Sequence, residues 1–288
     1  MPFVFLGLSI LGSTLMWPLN RWLTRSGGVA RIYGFWIGVS GTVVSGLLCL
    51  VTGQGLSDPL IWLLGGIVGV AFAFGYCVAL MRCVQIGPLG PSAAVNNMGL
   101  LWPVLLGAVW LDPHVLHLLP LAGFALIVVA IVLFGMSPSQ ASAGGTARVS
   151  LRWGMWALLT WISAGVSMTA QLAASLWAPG EQFPLLFAFM SVTVAIFFPV
   201  VLRKGKRMFG RTEVLAGLGN GSLQVLSIST MFLALRTFKS EVVFPYTIGT
   251  PVILAIVLGA LVYRDKIGKV SAVATALGVA GLLALSLP

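Results

Sequence analysis

Ten mostly apolar stretches, each about long enough to cross a bilayer, fill the 288 residues with hardly a gap between them. They fall at 3–20, 32–52, 60–82, 89–111, 115–136, 153–177, 184–203, 213–236, 241–263 and 269–287. A spanning helix needs about 20 such residues, because the hydrocarbon core is about 30 Å thick and a helix rises about 1.5 Å per residue. Turn residues, prolines and charges punctuate the stretches, as in Asn20-Arg21, Asp58-Pro59, Asp112-Pro113 and Arg264-Asp265-Lys266. Only 8% of the residues are charged and the mean hydropathy is +1.05, whereas a soluble domain carries about 25% charged residues. So little charge cannot clothe a surface for water. With lipid as solvent each segment must satisfy its own backbone groups, and a helix does so. The expected fold is an all-α polytopic membrane protein with ten transmembrane helices.

The connections are too short to hold a soluble domain. The longest, 137–150, is rich in Ser, Ala and Gly and reads as a flexible linker between residues 1–136 and 151–288. The first stretch lacks a basic leader and runs into Arg21 instead of a small-residue cleavage site, so it is expected to be a membrane helix and not a cleaved signal.

A net charge of +10 invites a nucleic-acid reading, but its placement argues against one. Of 16 Lys and Arg, 14 fall in the odd-numbered connections, and only Arg236 and Lys239 in an even-numbered one. Basic residues collect on the cytoplasmic side of short loops. The odd connections are therefore expected in the cytoplasm and both termini outside it, in a plasma (inner) membrane. Trp22, Trp62, Trp110, Trp153 and Trp177 lie near segment ends, where indoles favour the headgroup region. Cys49, Cys77 and Cys83 lie in or at the ends of spans and read as small packing residues, not as disulfides or metal ligands.

The two halves match at a nearly constant offset. Leu11-Gly12-Ser13-Thr14 faces Ala164-Gly165-Val166-Ser167, Ala79-Leu80-Met81-Arg82 faces Leu233-Ala234-Leu235-Arg236, Asp112 faces Asp265, and Gly123 faces Gly278. Five helices per half is an odd number, so the second half enters the membrane upside down, as in many secondary transporters with a midplane substrate site. Ten helices as five plus five, a Gly-Ser step in the first and Thr250-Pro251-Val252-Ile253-Leu254 in the ninth resemble the drug/metabolite transporter superfamily, in its EamA-like and sugar-porter-like branches. Gly259, Tyr263-Arg264-Asp265 and the glycine-rich Gly278-Val279-Ala280-Gly281 extend that resemblance. The first half departs from it, with Asn97 where the second has Pro251, and Asp265 stands where the family has Glu. The resemblance implies solute transport by alternating access.

All six acidic residues, Asp58, Asp112, Glu181, Glu213, Glu241 and Asp265, sit at or near segment ends. A buried carboxylate for proton coupling, such as a small multidrug antiporter carries in its first helix, is therefore not expected. Glu241 reads as an interfacial glutamate, with a coupling role open if the ninth helix is shifted. Uncharged polar groups do lie inside. Asn96 and Asn97 stand together in the fourth segment, after Gly87-Pro88-Leu89-Gly90-Pro91 and before Pro103, where prolines invite a broken helix lining a cavity. Gln171, Asn220, Gln224, Tyr246 and Thr250 add amides and hydroxyls, and Trp17, Tyr76 and Trp102 are candidate aromatic walls. For a single amide, interhelical bonding competes with substrate binding. An adjacent pair points about 100° apart, beyond the reach of one neighbour, and favours a cavity.

No G-x-S-x-G, H-E-x-x-H or Walker loop is present, so no enzyme chemistry is expected. His114 and His117 have only Asp112 nearby, which reads as interfacial histidines and not a metal site. No cofactor and no metal are expected; the expected partners are a small-molecule substrate and membrane lipid. The function expected is a secondary transporter or facilitator of a small neutral or zwitterionic solute (a metabolite, drug or sugar). A lipid-linked-sugar flippase is the alternative, and an intramembrane lipid-modifying enzyme or a non-transporting scaffold follows behind it.

Overall fold

The computed structural model describes residues 2–86, 95–106, 151–203, 209–238 and 269–286, with most positions of 122–133 and 242–254. The linker 137–150, Gly87 to Pro91, Trp110, Asp112, His114, His117, Glu241 and Asp265 lie outside the described residues. Every described element is a helix. In chain order they are α1 (Pro2–Arg25), α2 (Ala30–Thr52) and α3 (Pro59–Phe74), the last running through a π-helical turn (Gly75–Leu80) into Met81–Ile86. A helical turn at 95–97 leads through a 3-10 turn (Met98–Leu100) into α4 (Leu101–Leu106). Then come α5 (Leu151–Trp177), α6 (Gln182–Leu202), α7 (Arg211–Leu235) and α8 (Lys269–Ser286).

Six helices are long and apolar enough to cross a membrane: Phe3–Arg25, Ala30–Thr52, Pro59–Cys83, Leu151–Trp177, Gln182–Leu202 and Arg211–Leu235. Their ends carry the punctuation read in the sequence. The Asp58 carboxylate accepts from the Leu60 N–H at 2.9 Å, and Pro59, with no N–H to satisfy, opens α3. The α2 helix stops at Gly53, whose φ of 67° suits a residue without a Cβ. Glu181 directly precedes α6, and Glu213 lies in the first turn of α7, where its carboxylate accepts from the Val29 N–H at 3.1 Å. Trp22, Trp62 and Trp177 are exposed near helix ends. One boundary differs from the sequence reading: α1 does not stop at Asn20 but continues to Arg25.

The packing has an exchange pattern. The α1 helix packs on α7, as α5 packs on α3; α2 packs on α7, as α6 packs on α3; and α2 and α6 pack on each other. Swapping α1, α2 and α3 for α5, α6 and α7 leaves this list unchanged. Glycines make the close contacts and obey the same swap. A Cβ at Gly65 would lie 2.6 Å from Ala188 Cβ and one at Gly69 2.6 Å from the Phe189 carbonyl oxygen, both on α6. On α7, a Cβ at Gly217 would lie 2.5 Å from Trp36 Cβ, and one at Gly221 would strike the Ile37 carbonyl oxygen, both on α2. Such small-residue faces let membrane helices approach where no hydrophobic effect pushes them together.

Candidate functional site

A cavity of about 170 Å³ lies among α1, α3, α5, α7, residues 96–97 and residues 247–251. Eleven of its 21 lining residues are polar, and none of those described is charged. The polar side chains arrive as stripes at helical spacing: Ser13 and Asn20 on α1, with Trp17 between them; Ser163, Ser167 and Gln171 on α5; Gln224 and Ser227 on α7. Positions three and four apart share a helix face, so each helix turns one polar stripe inward while its lipid face stays apolar.

Helix regularity fails at the same level. Pro18 within α1 has no N–H for the Thr14 carbonyl. The π turn of α3 carries Tyr76, and the 3-10 turn Met98–Leu100 follows Asn96 and Asn97. Pro251 itself lines the cavity. In membrane proteins irregular backbone is tolerated where it faces protein or a wet cavity, and π turns in particular gather at functional sites.

One end of the cavity is a hydrogen-bonded cluster joining four helices. The Asn20 amide donates to Tyr76 Oη at 2.6 Å, while Asn20 Oδ1 accepts from Tyr33 Oη at 2.5 Å and from Asn220 Nδ2 at 3.4 Å. The Tyr76 hydroxyl also interacts with that of Tyr33 and with Asn220, so all four side chains meet at one point. The Tyr76 ring stacks on Phe72, with centroids 4.9 Å apart and planes at 9°, and both rings line the cavity. Along the α1–α7 seam, Ser13 and Ser227 hydroxyls lie 2.6 Å apart and Ser227 also donates to the Ser9 carbonyl at 3.0 Å. The close approach there needs Gly12, where a Cβ would sit 3.1 Å from Ser227 Cβ.

Six residues singled out from the sequence line the cavity: Trp17, Tyr76, Asn96, Asn97, Gln171 and Gln224. Four do not. Trp102 packs against Trp161 with centroids 5.6 Å apart and covers Gly165, where any Cβ would strike its indole; its N–H is buried without a partner among the described residues. Asn220 is fully buried behind the wall, with Oδ1 unpartnered among the described residues. Tyr246 packs against the hydrophobic core, and the Thr250 hydroxyl is buried without a partner among the described residues. Sequence reasoning passed over Asn20, Ser163, Ser167 and Ser227. The stripe spacing carried the signal for all four, but Asn20-Arg21 looked like a turn. The three cysteines are buried free thiols and none lines the cavity.

The fold is shared with known structures. Twenty-nine chains of solved structures match, among them one described only as the crystal structure of a protein. It aligns over 97% of this chain and 97% of its own, with a TM-score of 0.68 and 18% identity. No family model matches the sequence, and no curated protein does.

Proposed function

We propose that the chain is a secondary transporter or facilitator that carries a small, uncharged or zwitterionic organic solute across the plasma membrane by alternating access. The observation that carries this reading is the cavity: 11 polar and no charged side chains among its described lining, in a bundle of membrane-crossing helices, beside a π turn and a 3-10 turn. A purely structural polar network would seal its groups against one another. Here Asn96 and Gln224 line open space with no hydrogen bond to any described residue.

The reading includes ten spans arranged as two inverted five-helix repeats. The exchange of α1–α3 with α5–α7, glycine contacts included, supports it, as does the resemblance to the drug/metabolite transporter superfamily. The absence of charge among the described lining favours a facilitator, or coupling to an ion held elsewhere, over proton exchange at a central carboxylate. A cavity of about 170 Å³ also suits a small solute better than the head group of a lipid-linked sugar.

Reconstitution into liposomes tests the proposal. Solute-specific uptake that saturates, and that falls when Asn96 or Gln224 is replaced by Leu, is the expected result. A protein that neither binds nor moves any member of a broad metabolite panel, while remaining folded, would sink the transporter reading.

A further inference from the structure

Resting on the transporter reading, we propose that the solute is a small, uncharged heteroaromatic amide or cyclic imide: one ring with apolar faces and donor and acceptor groups along its edge. Size comes first. An apolar cavity of about 150 Å³ holds one benzene molecule, so about 170 Å³ is room for one ring with a few substituents.

The walls then separate ring faces from ring edge. Trp17, Phe72 and the methionines Met16, Met168 and Met231 offer flat or adaptable apolar surface. Thioethers and aromatic rings both pack well on a π face. A hexose of the same volume would press hydroxyl groups against these walls, and each buried hydroxyl without a partner costs about 1–3 kcal/mol. An amino acid would bring two full charges, with no opposite charge among the described lining residues to meet them.

Beside the Ser163 hydroxyl and the Trp17 indole N–H, three lining groups with unused capacity are carboxamides. Asn96 and Gln224 carboxamides have no described partner, and Gln171 spends one N–H on Ser167 Oγ at 3.2 Å, with Oε1 unspent. Each carboxamide presents a donor and an acceptor side by side in one plane. The complement of that pattern is another amide edge, such as the N–H and C=O of a cyclic imide or a ring carboxamide. Recognition by such edges is selective because a solute lacking them leaves the protein's amides unpaired.

Purified protein in detergent is titrated with uracil and with nicotinamide, following Trp fluorescence and thermal unfolding. The competitor panel is glucose, leucine, tetraethylammonium and benzene. Uracil or nicotinamide should bind, and Asn96→Leu and Gln224→Leu should each weaken that binding about tenfold while melting near the parent temperature. Gln224→Met serves as a second apolar variant should Gln224→Leu fold poorly. If glucose, leucine or tetraethylammonium binds and the aromatic amides do not, the solute class is wrong and the transporter reading stands. Silence from the whole panel and from a broad metabolite screen overturns both. Aromatic amides that bind equally to parent and variants overturn the assignment to this cavity.

Discussion

Replacing Tyr76 by Phe and, separately, Tyr33 by Phe deletes one hydroxyl from either side of the same hydrogen-bonded cluster, with opposite expected consequences. Tyr33 is fully buried, and its Oη lies 2.5 Å from Asn20 Oδ1. Without it, that oxygen keeps only the Asn220 amide at 3.4 Å, a long contact, and the place of the lost hydroxyl, unlike that of Tyr76, is not part of the cavity lining. Stranding a buried acceptor costs about 1–3 kcal/mol, and side-chain bonds between membrane helices reach about 1.7 at most. Tyr33→Phe should therefore cost about 1–2 kcal/mol of stability and leave solute affinity near the parent value. Tyr76 is the other side. Tyr76 itself lines the cavity, so water can take the place of the lost oxygen and the cost in stability falls to about 0.6 kcal/mol or less. Tyr76→Phe also takes a hydroxyl out of the cavity lining, worth about 0.5–1.5 kcal/mol to a bound solute, or a two- to tenfold weaker Kd. Thermal unfolding in detergent measures the first quantity and a fluorescence titration the second. If Tyr33→Phe weakens binding while Tyr76→Phe lowers only the melting temperature, Tyr76 is a brace and the cavity wall has been misread.

Three further outcomes follow from the same physics. A reporter active only in the cytoplasm, fused after Pro288, should stay silent, because 14 of 16 basic residues fall in connections expected on the cytoplasmic side; strong signal there would reverse the orientation. Gly69→Leu and Gly221→Leu should each lower stability by about 3 kcal/mol or more, since both press side-chain atoms on a partner helix's backbone carbonyl; a large loss at one and none at the other would break the exchange pattern. Cys49, Cys77 and Cys83 should resist a maleimide in the folded protein and label on unfolding, since all three thiols are buried; rapid labelling of Cys77 would contradict its close contact with α2, where a Cβ at Gly34 would lie 2.9 Å from Cys77 Cβ.

Much of this molecule is written locally. An apolar run of 21 residues between Glu181 and Arg203 has one low-energy form in lipid, so the helix is determined by length and composition alone. Asp58-Pro59 and Gly53 place helix ends by bonds that span only a few residues, and the described acidic residues sit at ends because the hydrocarbon would not accept them. The interior is another matter. Asn220 and Gln224 lie one turn apart on the same helix, yet one is sealed behind the wall and the other faces open space. Nothing within α7 separates them; the neighbours that cover one and not the other do. Trp102 could have faced the cavity on sequence grounds, but the space above Gly165, 63 positions away, takes its indole. Asn20 looked like the end of a helix until Tyr33, Tyr76 and Asn220, from three other helices, gathered around it. Spans are decided by each segment's own transfer to lipid. The site is decided by which side chains from distant segments fill the same space, and only the packed structure holds that information.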